Sequence, residues 1–277
     1  RLQLVKWLAN PDNALLDRVM VNRIWHNLFG RGIVASVDNF GRLGTPPTHP
    51  ELLDYLATEF RASGGSVKNL IRRIVLSRTY RLSADASRSL EEADPENKMF
   101  GRQNRRRLTA EEIRDSVLYL ADRLNPDSGA ATAGKYGVDL DKPMSFAKET
   151  LRTVYLPIAR NNLVAELELF DAANPDFVSG SRSITTVPTQ ALYLLNNNFF
   201  LTQAKEIGKR SLSAKDASDR ISRLYQEILN RTPSYIEIQR ALDFVKELET
   251  DSKIDREEAF GHLAHLLLVS TEFLFLN

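Results

Sequence analysis

Cysteine is absent from the 277 residues. Its absence removes disulfide frameworks, cysteine-ligated zinc, thiol nucleophiles and haem attachment through Cys-x-x-Cys-His, and it fits an oxidising and a reducing compartment equally well. No run approaches the roughly 18 to 20 uninterrupted apolar residues that a membrane-spanning helix needs. Glycine and proline are sparse, at 13 and 11 residues, and no heptad is sustained, which excludes collagen-like and coiled-coil arrays. Neither sign of charge is in excess: 37 basic residues stand against 36 acidic ones, a net +1. No basic-then-apolar leader follows Arg1, and the chain is expected to be a trimmed piece of a longer one.

With 43% hydrophobic and 26% charged residues, the chain can offset the entropy of ordering and is expected to be globular. At roughly 150 residues per domain its length suits two domains or one large one. Thr48-x-x-Glu51, Thr109-x-x-Glu112 and Ser234-x-x-Glu237 are three capping boxes, in which a hydroxyl and a carboxylate each satisfy an orphan N–H group. Helices are predicted over 2–9, 13–29, 50–62, 67–80, 110–124, 162–170, 187–208, 217–229, 235–248 and 255–275, with Gly30 and Gly64-Gly65 closing the second and third. Extended structure is predicted only for Leu151 to Leu156, and one such run makes no sheet. The expected class is all-α: two packed helical subdomains, 1–124 and 151–277, joined through a long connection over 125–150 that holds the small-residue stretch Ser128 to Gly134. A second long connection covers 81–108.

The helix over 13–29 is the most informative. Its apolar residues scatter nearly all round, as in a buried helix, yet Arg18, Asn22 and His26 fall on one stripe. Polar groups in such surroundings must be hydrogen-bonded or paired. The following segment, Asp38-Asn39-Phe40-Gly41, with His49 and Asp54 beyond it, is predicted to fold back onto the stripe. One reading is structural, with the stripe tying down an irregular loop. The other is a site: His26, Asp38, His49 and Asp54 as catalytic candidates, with His26 or His49 as general base. Arg18, Asn22 and Arg23 would then be binding residues.

Two segments free of acids, Arg61 to Arg81 and Lys98 to Arg107, invite a nucleic-acid reading. On a wheel, however, Arg78 and Arg81 fall on the core face with Leu70, Ile71, Ile74 and Val75, and Arg105 to Arg107 are offset by Glu111, Glu112 and Asp115. With the total charge near zero, no nucleic-acid partner is expected. Glu258, His262 and His265 share one face of the last helix and are the candidate metal ligands, but a di-iron bundle needs Glu-x-x-His on two helices. Neither metal nor cofactor is expected. Nucleotide-binding glycine loops and the Gly-x-Ser-x-Gly elbow are missing.

The run from Arg18 to Gly32, with Arg18, Asn22, Arg23, Trp25, His26, Phe29 and Gly30, resembles the opening signature of the domain of unknown function 1553, a family best known from planctomycete proteins. The resemblance continues through Asp38-Asn39-Phe40-Gly41, Pro47 to Asp54, and Ser77-Arg78-Thr79-Tyr80-Arg81. It extends through Arg106 to Asp115, Phe170-Asp171, Arg182, Thr185 to Leu192, Leu195-Asn196, Asn230-Arg231-Thr232-Pro233 and Glu272-Phe273. Shared residues include His49, Glu51, Asp54, Arg107, Glu111, Arg114 and Asp115. The resemblance implies an exported, multidomain parent protein, an extracytoplasmic (periplasmic or secreted) location, and a c-type cytochrome-like module among its companions. No reaction is established for that family. The leading expectation is therefore an uncharacterised helical accessory or interaction module whose partners are other domains of its own parent chain. The alternatives are a hydrolase or polysaccharide-processing enzyme with a His/Asp/Arg site within 18–54, and nucleic-acid binding through the arginine-rich segments.

Overall fold

The computed structural model describes residues 1–8, 10, 12–127, 148–158, 160, 163–251 and 254–276, with the side chain of residue 251 left out. The chain divides into two compact units, Arg1–Arg106 with Ser179–Ser181, and Arg107–Val178 with Arg182–Leu276. The division falls upstream of the 125–150 connection, whose Ser128 to Gly134 stretch lies outside the described residues.

The first unit contains α1 (Leu2–Leu8), α2 (Ala14–Phe29), α3 (Pro50–Ala62), α4 (Val67–Val75) and α5 (Arg88–Ala93). Its core joins Val21, Trp25 and Phe29 of α2 to Leu53, Leu56 and Phe60 of α3, to Leu70 and Ile74 of α4, and to Phe100. Trp25 stacks on Phe29 at 4.2 Å between ring centroids, and Phe100 meets both edge-on. Burial in α2 is confined to Val21, Asn22, Trp25 and Phe29, so only one side of the helix is covered. The capping box expected at Thr48 is not formed. Pro50 occupies the first helical position, His49 becomes the cap without a side-chain bond, and the Thr48 hydroxyl donates to the Ile33 carbonyl. α4 stops at Val75 because the Ser77 hydroxyl accepts the Tyr80 N–H, a local bond that competes with helix continuation. Arg78 and Arg81 are consequently exposed, not on a core face. Helix α5 interrupts the 81–108 connection.

The second unit contains α6 (Ala110–Leu120), α7 (Ala165–Leu169), α8 (Pro188–Asn196), α9 (Asn198–Ser211), α10 (Ala217–Leu229), α11 (Tyr235–Asp251), α12 (Arg256–Leu268) and α13 (Thr271–Leu274). Capping boxes open α6, through Thr109 and Glu112, and α11, through Ser234 and Glu237. Asn197 divides the helix expected over 187–208, its side chain accepting the Phe199 N–H at 2.8 Å. The unit is organised around α9 and α12, which touch backbone to backbone: a Cβ on Gly208 would lie 2.6 Å from Gly261 Cα. Only glycine permits that approach. α6 buries Ile113, Val117 and Leu118 in this core, which is why the boundary precedes it.

Leu151 to Leu156 does not form a strand. Leu151 makes one isolated bridge to Asn125, and Thr153–Tyr155 close into a 3-10 turn. Apart from two paired two-residue strands, β1 (Arg106–Arg107) and β2 (Phe275–Leu276), the described residues are helices and loops, and the class is all-α. No helix among them is long and apolar enough to cross a membrane.

Candidate functional site

Asn22 organises the region where the sequence places its candidates. Its side chain is fully buried and bonds one residue of the following loop twice: Nδ2 donates to the Val34 carbonyl at 3.0 Å, and Oδ1 accepts the Val34 N–H at 2.9 Å. Both backbone groups of a buried loop residue are thus satisfied by one amide. Gly32 makes the contact possible, since a Cβ there would come within 2.9 Å of Asn22 Nδ2 and 2.5 Å of the Val34 carbonyl oxygen. Further along, Ser36 Oγ donates to the Asn39 carbonyl and accepts the Thr45 N–H, and the Thr48 N–H returns to Ile33. The stripe is met from the following loop, but not as expected: Asn22 is answered by Val34, upstream of Asp38 to Gly41, and of the named groups Asp54 bonds Arg18 while Asp38 bonds Gly180.

The loop roofs a cleft of about 450 Å³, lined by Leu15, Arg18, Val34, Phe40, Gly41, Gly44, Thr45, Pro46, Pro47, Pro50, Leu53 and Asp54. Its charged groups pair with one another: Arg18 Nε donates to Asp54 Oδ1 at 2.6 Å, across from α2 to α3. Both side chains are substantially exposed, so the pair contributes at most about 1 kcal/mol. The remaining lining is aliphatic, proline or glycine apart from Phe40 and the Thr45 hydroxyl.

The other candidates stand elsewhere. His26 is half-buried, its Nδ1 has no hydrogen-bond partner among the described residues, and burial lowers its pKa, with the Asp38 charge opposing. Asp38 is exposed and accepts the Gly180 N–H at 2.7 Å. The His49 ring sits beside Phe100, and its Nδ1 bonds the Thr48 hydroxyl at 2.9 Å. Arg23 is exposed. Of the seven candidates, Arg18 and Asp54 line the cleft, and Asn22 holds its roof in place. No imidazole lines it, so the pair has no general base beside it there.

The metal candidates do not assemble. His265 is buried, with Nε2 bonded to the Leu194 carbonyl at 2.9 Å, and among the described residues no group of three or more metal-ligating side chains could hold an ion.

Two polar centres in the second unit use residues that the sequence named mostly as carrying the family resemblance, without joining them. Arg107 is buried and donates to Asp171 at 2.7 Å, to Gln190 and to the Thr185 carbonyl. Burial disfavours the Asp171 carboxylate, but the bonds from Thr185 and Arg107 hold its pKa below the usual range. Arg231 bonds both oxygens of Glu237 and both of Glu272. It pulls the Glu237 pKa down to about 2 and lowers that of Glu272. The offset expected between Arg105 to Arg107 and the downstream acids takes other partners: Arg105 reaches Asp85, Arg107 reaches Asp171, and Glu111 is met by Arg182. Matching polar centres across 64 and 41 residues of separation leave no local pattern to read.

A family model described as "PSD1: Protein of unknown function (DUF1553)" matches residues 1–245. No curated protein and no solved structure matches the chain significantly.

Proposed function

This chain belongs to the DUF1553 family, and on that footing we propose that it is a non-catalytic interaction module that packs against another domain of its parent chain. One observation carries the reading. Helix α1, Leu-Gln-Leu-Val-Lys-Trp-Leu, buries none of its residues, and Leu2, Leu4, Val5 and Trp7 are each more than half exposed. Exposed apolar residues gathered on one element mark an interaction surface. The catalytic candidates give no comparable support, since only Asp54 lines the cleft.

An exported, extracytoplasmic parent protein is part of the same proposal, with a c-type cytochrome-like module among the domains it would contact. Any haem attached through Cys-x-x-Cys-His would belong to that module, because this chain has no cysteine. The hydrolase reading keeps one observation in its favour, the buried Nδ1 of His26, which has no hydrogen-bond partner among the described residues.

The test is a photo-crosslinking residue in place of Trp7 in the full parent protein. Crosslinks to peptides of another domain of that protein are expected. Products confined to solvent quenching, or to this domain itself, would refute the proposal.

A further inference from the structure

Charge is unevenly divided along the chain. The first 106 residues carry 17 basic and 11 acidic side chains, a net +6, whereas the other 171 carry 20 against 25, a net −5. Within the first unit the excess concentrates between Arg61 and Arg81, where six cations occur and no acid. Two of the six are answered from neighbouring helices, Arg61 by Asp17 and Arg73 by Glu59. Among the described residues the side chains of Lys68, Arg72 and Arg78 have no hydrogen-bond or ion-pair partner, and that of Arg81 reaches only the Ser77 carbonyl. All four are exposed.

Aliphatic side chains are exposed among these cations. Val67 and Ile71 are each about two-fifths exposed, at 40% and 37%, and Leu76 is 63% exposed. Leu76 also lines a groove of about 380 Å³ with Phe60, Leu70, Asn69, Arg72 and Arg73, which Glu59 and Ser63 complete. We infer that helix α4 and the turn after it, Val67 to Arg81, form a docking surface for a bilayer bearing anionic headgroups.

The mixture of side chains selects that partner. A nucleic acid or a soluble acidic polymer would use the cations and leave Leu76, Ile71 and Val67 facing water. A membrane interface takes both, with aliphatic groups entering the headgroup boundary and cations meeting the surface charge. In the groove, Arg72 is free to meet a headgroup phosphate, while Glu59 is occupied by Arg73 at 2.6 Å. A surface of this kind lies on the bilayer and spans nothing, and no helix among the described residues is long and apolar enough to cross it.

Co-sedimentation of the full chain with vesicles tests the inference, using phosphatidylcholine alone and phosphatidylcholine with phosphatidylglycerol. Binding to the anionic vesicles only, weakened by salt, is expected. Each exposed cation contributes roughly fivefold in affinity, so the combined change Lys68→Gln, Arg72→Gln and Arg78→Gln should weaken binding roughly a hundredfold. Leu76→Ser should weaken it severalfold with the charge unchanged. All four positions are exposed, and circular dichroism checks that the variants stay folded. Absence of sedimentation with anionic vesicles overturns the inference. So does binding that ignores Leu76→Ser and is fully competed by heparin or single-stranded DNA, which would identify a surface for soluble polyanions. Sedimentation lost on Trp7→Ser and unaffected by the α4 changes would transfer the role to α1 and overturn it as well.

Discussion

Asn22→Ala should unfasten the loop that follows α2. The substitution leaves the N–H and the carbonyl of Val34 without partners at a residue only 3% exposed. Each orphaned buried group costs about 1–3 kcal/mol, so a loss of about 3–4 kcal/mol is expected from the pair. Urea unfolding read by tryptophan fluorescence isolates the effect. Trp7 and Trp25 are the two tryptophans, and both lie in the first unit. A Trp7→Phe background leaves Trp25, stacked on Phe29, as sole reporter of that unit whatever the other does. With a urea dependence of about 2 kcal/mol/M, the midpoint should fall by about 1.5–2 M. Asn22→Asp keeps the acceptor for the Val34 N–H but loses the donor and buries a charge. It should be at least as damaging at neutral pH and recover in part once acid protonates the carboxyl. Asn27→Ala, which removes an exposed bond to the Arg23 carbonyl in the same helix, should cost under about 0.5 kcal/mol. Equal midpoints for Asn22→Ala and Asn27→Ala would show that the Val34 bonds do not hold the loop.

Three further outcomes follow from the geometry. Gly208→Ala drives a methyl into the Gly261 backbone and should cost at least about 2–3 kcal/mol. The thermal midpoint by far-ultraviolet circular dichroism should fall more than for Gly261→Ala, whose Cβ would stand 3.1 Å from Lys205 Cα; an unchanged midpoint refutes the packing argument. Glu237 titrates near 2 instead of 4.5 because Arg231 favours its charged form. Its stabilisation is therefore complete above about pH 4.5 and disappears as the pH falls toward 2. Glu237→Gln should be less stable at pH 7, with a flatter acid limb in urea titrations, and an unchanged limb would count against the assignment. His26 has a pKa lowered by burial, so its neutral form favours the folded state above the ordinary value of 6.5 and the benefit is lost on acidification. Its NMR titration midpoint should lie below 6.5 and drop further on Asp38→Asn; a rise would contradict the placement of that charge.

Much of this was legible in the sequence because it was local. Periodicity and caps marked α2, α3, α10 and α11 within a few residues, and a buried asparagine on an apolar helix required a nearby polar partner, which Val34 supplies. Local rules also misled. Pro50 takes the first helical position, so His49 and not Thr48 stands at the cap, and Ser77 ends α4 before its arginines can turn inward. Among the described residues the run Leu151 to Leu156 finds only a single bridge, to Asn125. The cleft itself was not legible, because its lining comes from Leu15 through Asp54 by way of a loop whose path depends on Gly32 fitting against Asn22. The centres on Arg107 and Arg231 depend on contacts between distant stretches, for which one sequence offers no period.

Ser179–Ser181 belong with the first unit although most of their neighbours in the chain belong to the second, and Gly180 supplies a donor to Asp38. Neither half is therefore a contiguous cassette. Cutting after Arg106 would yield a fragment missing three of its own residues, and recombination that shuffles the N-terminal portion alone would leave the exposed Asp38 carboxylate to water in place of the Gly180 N–H.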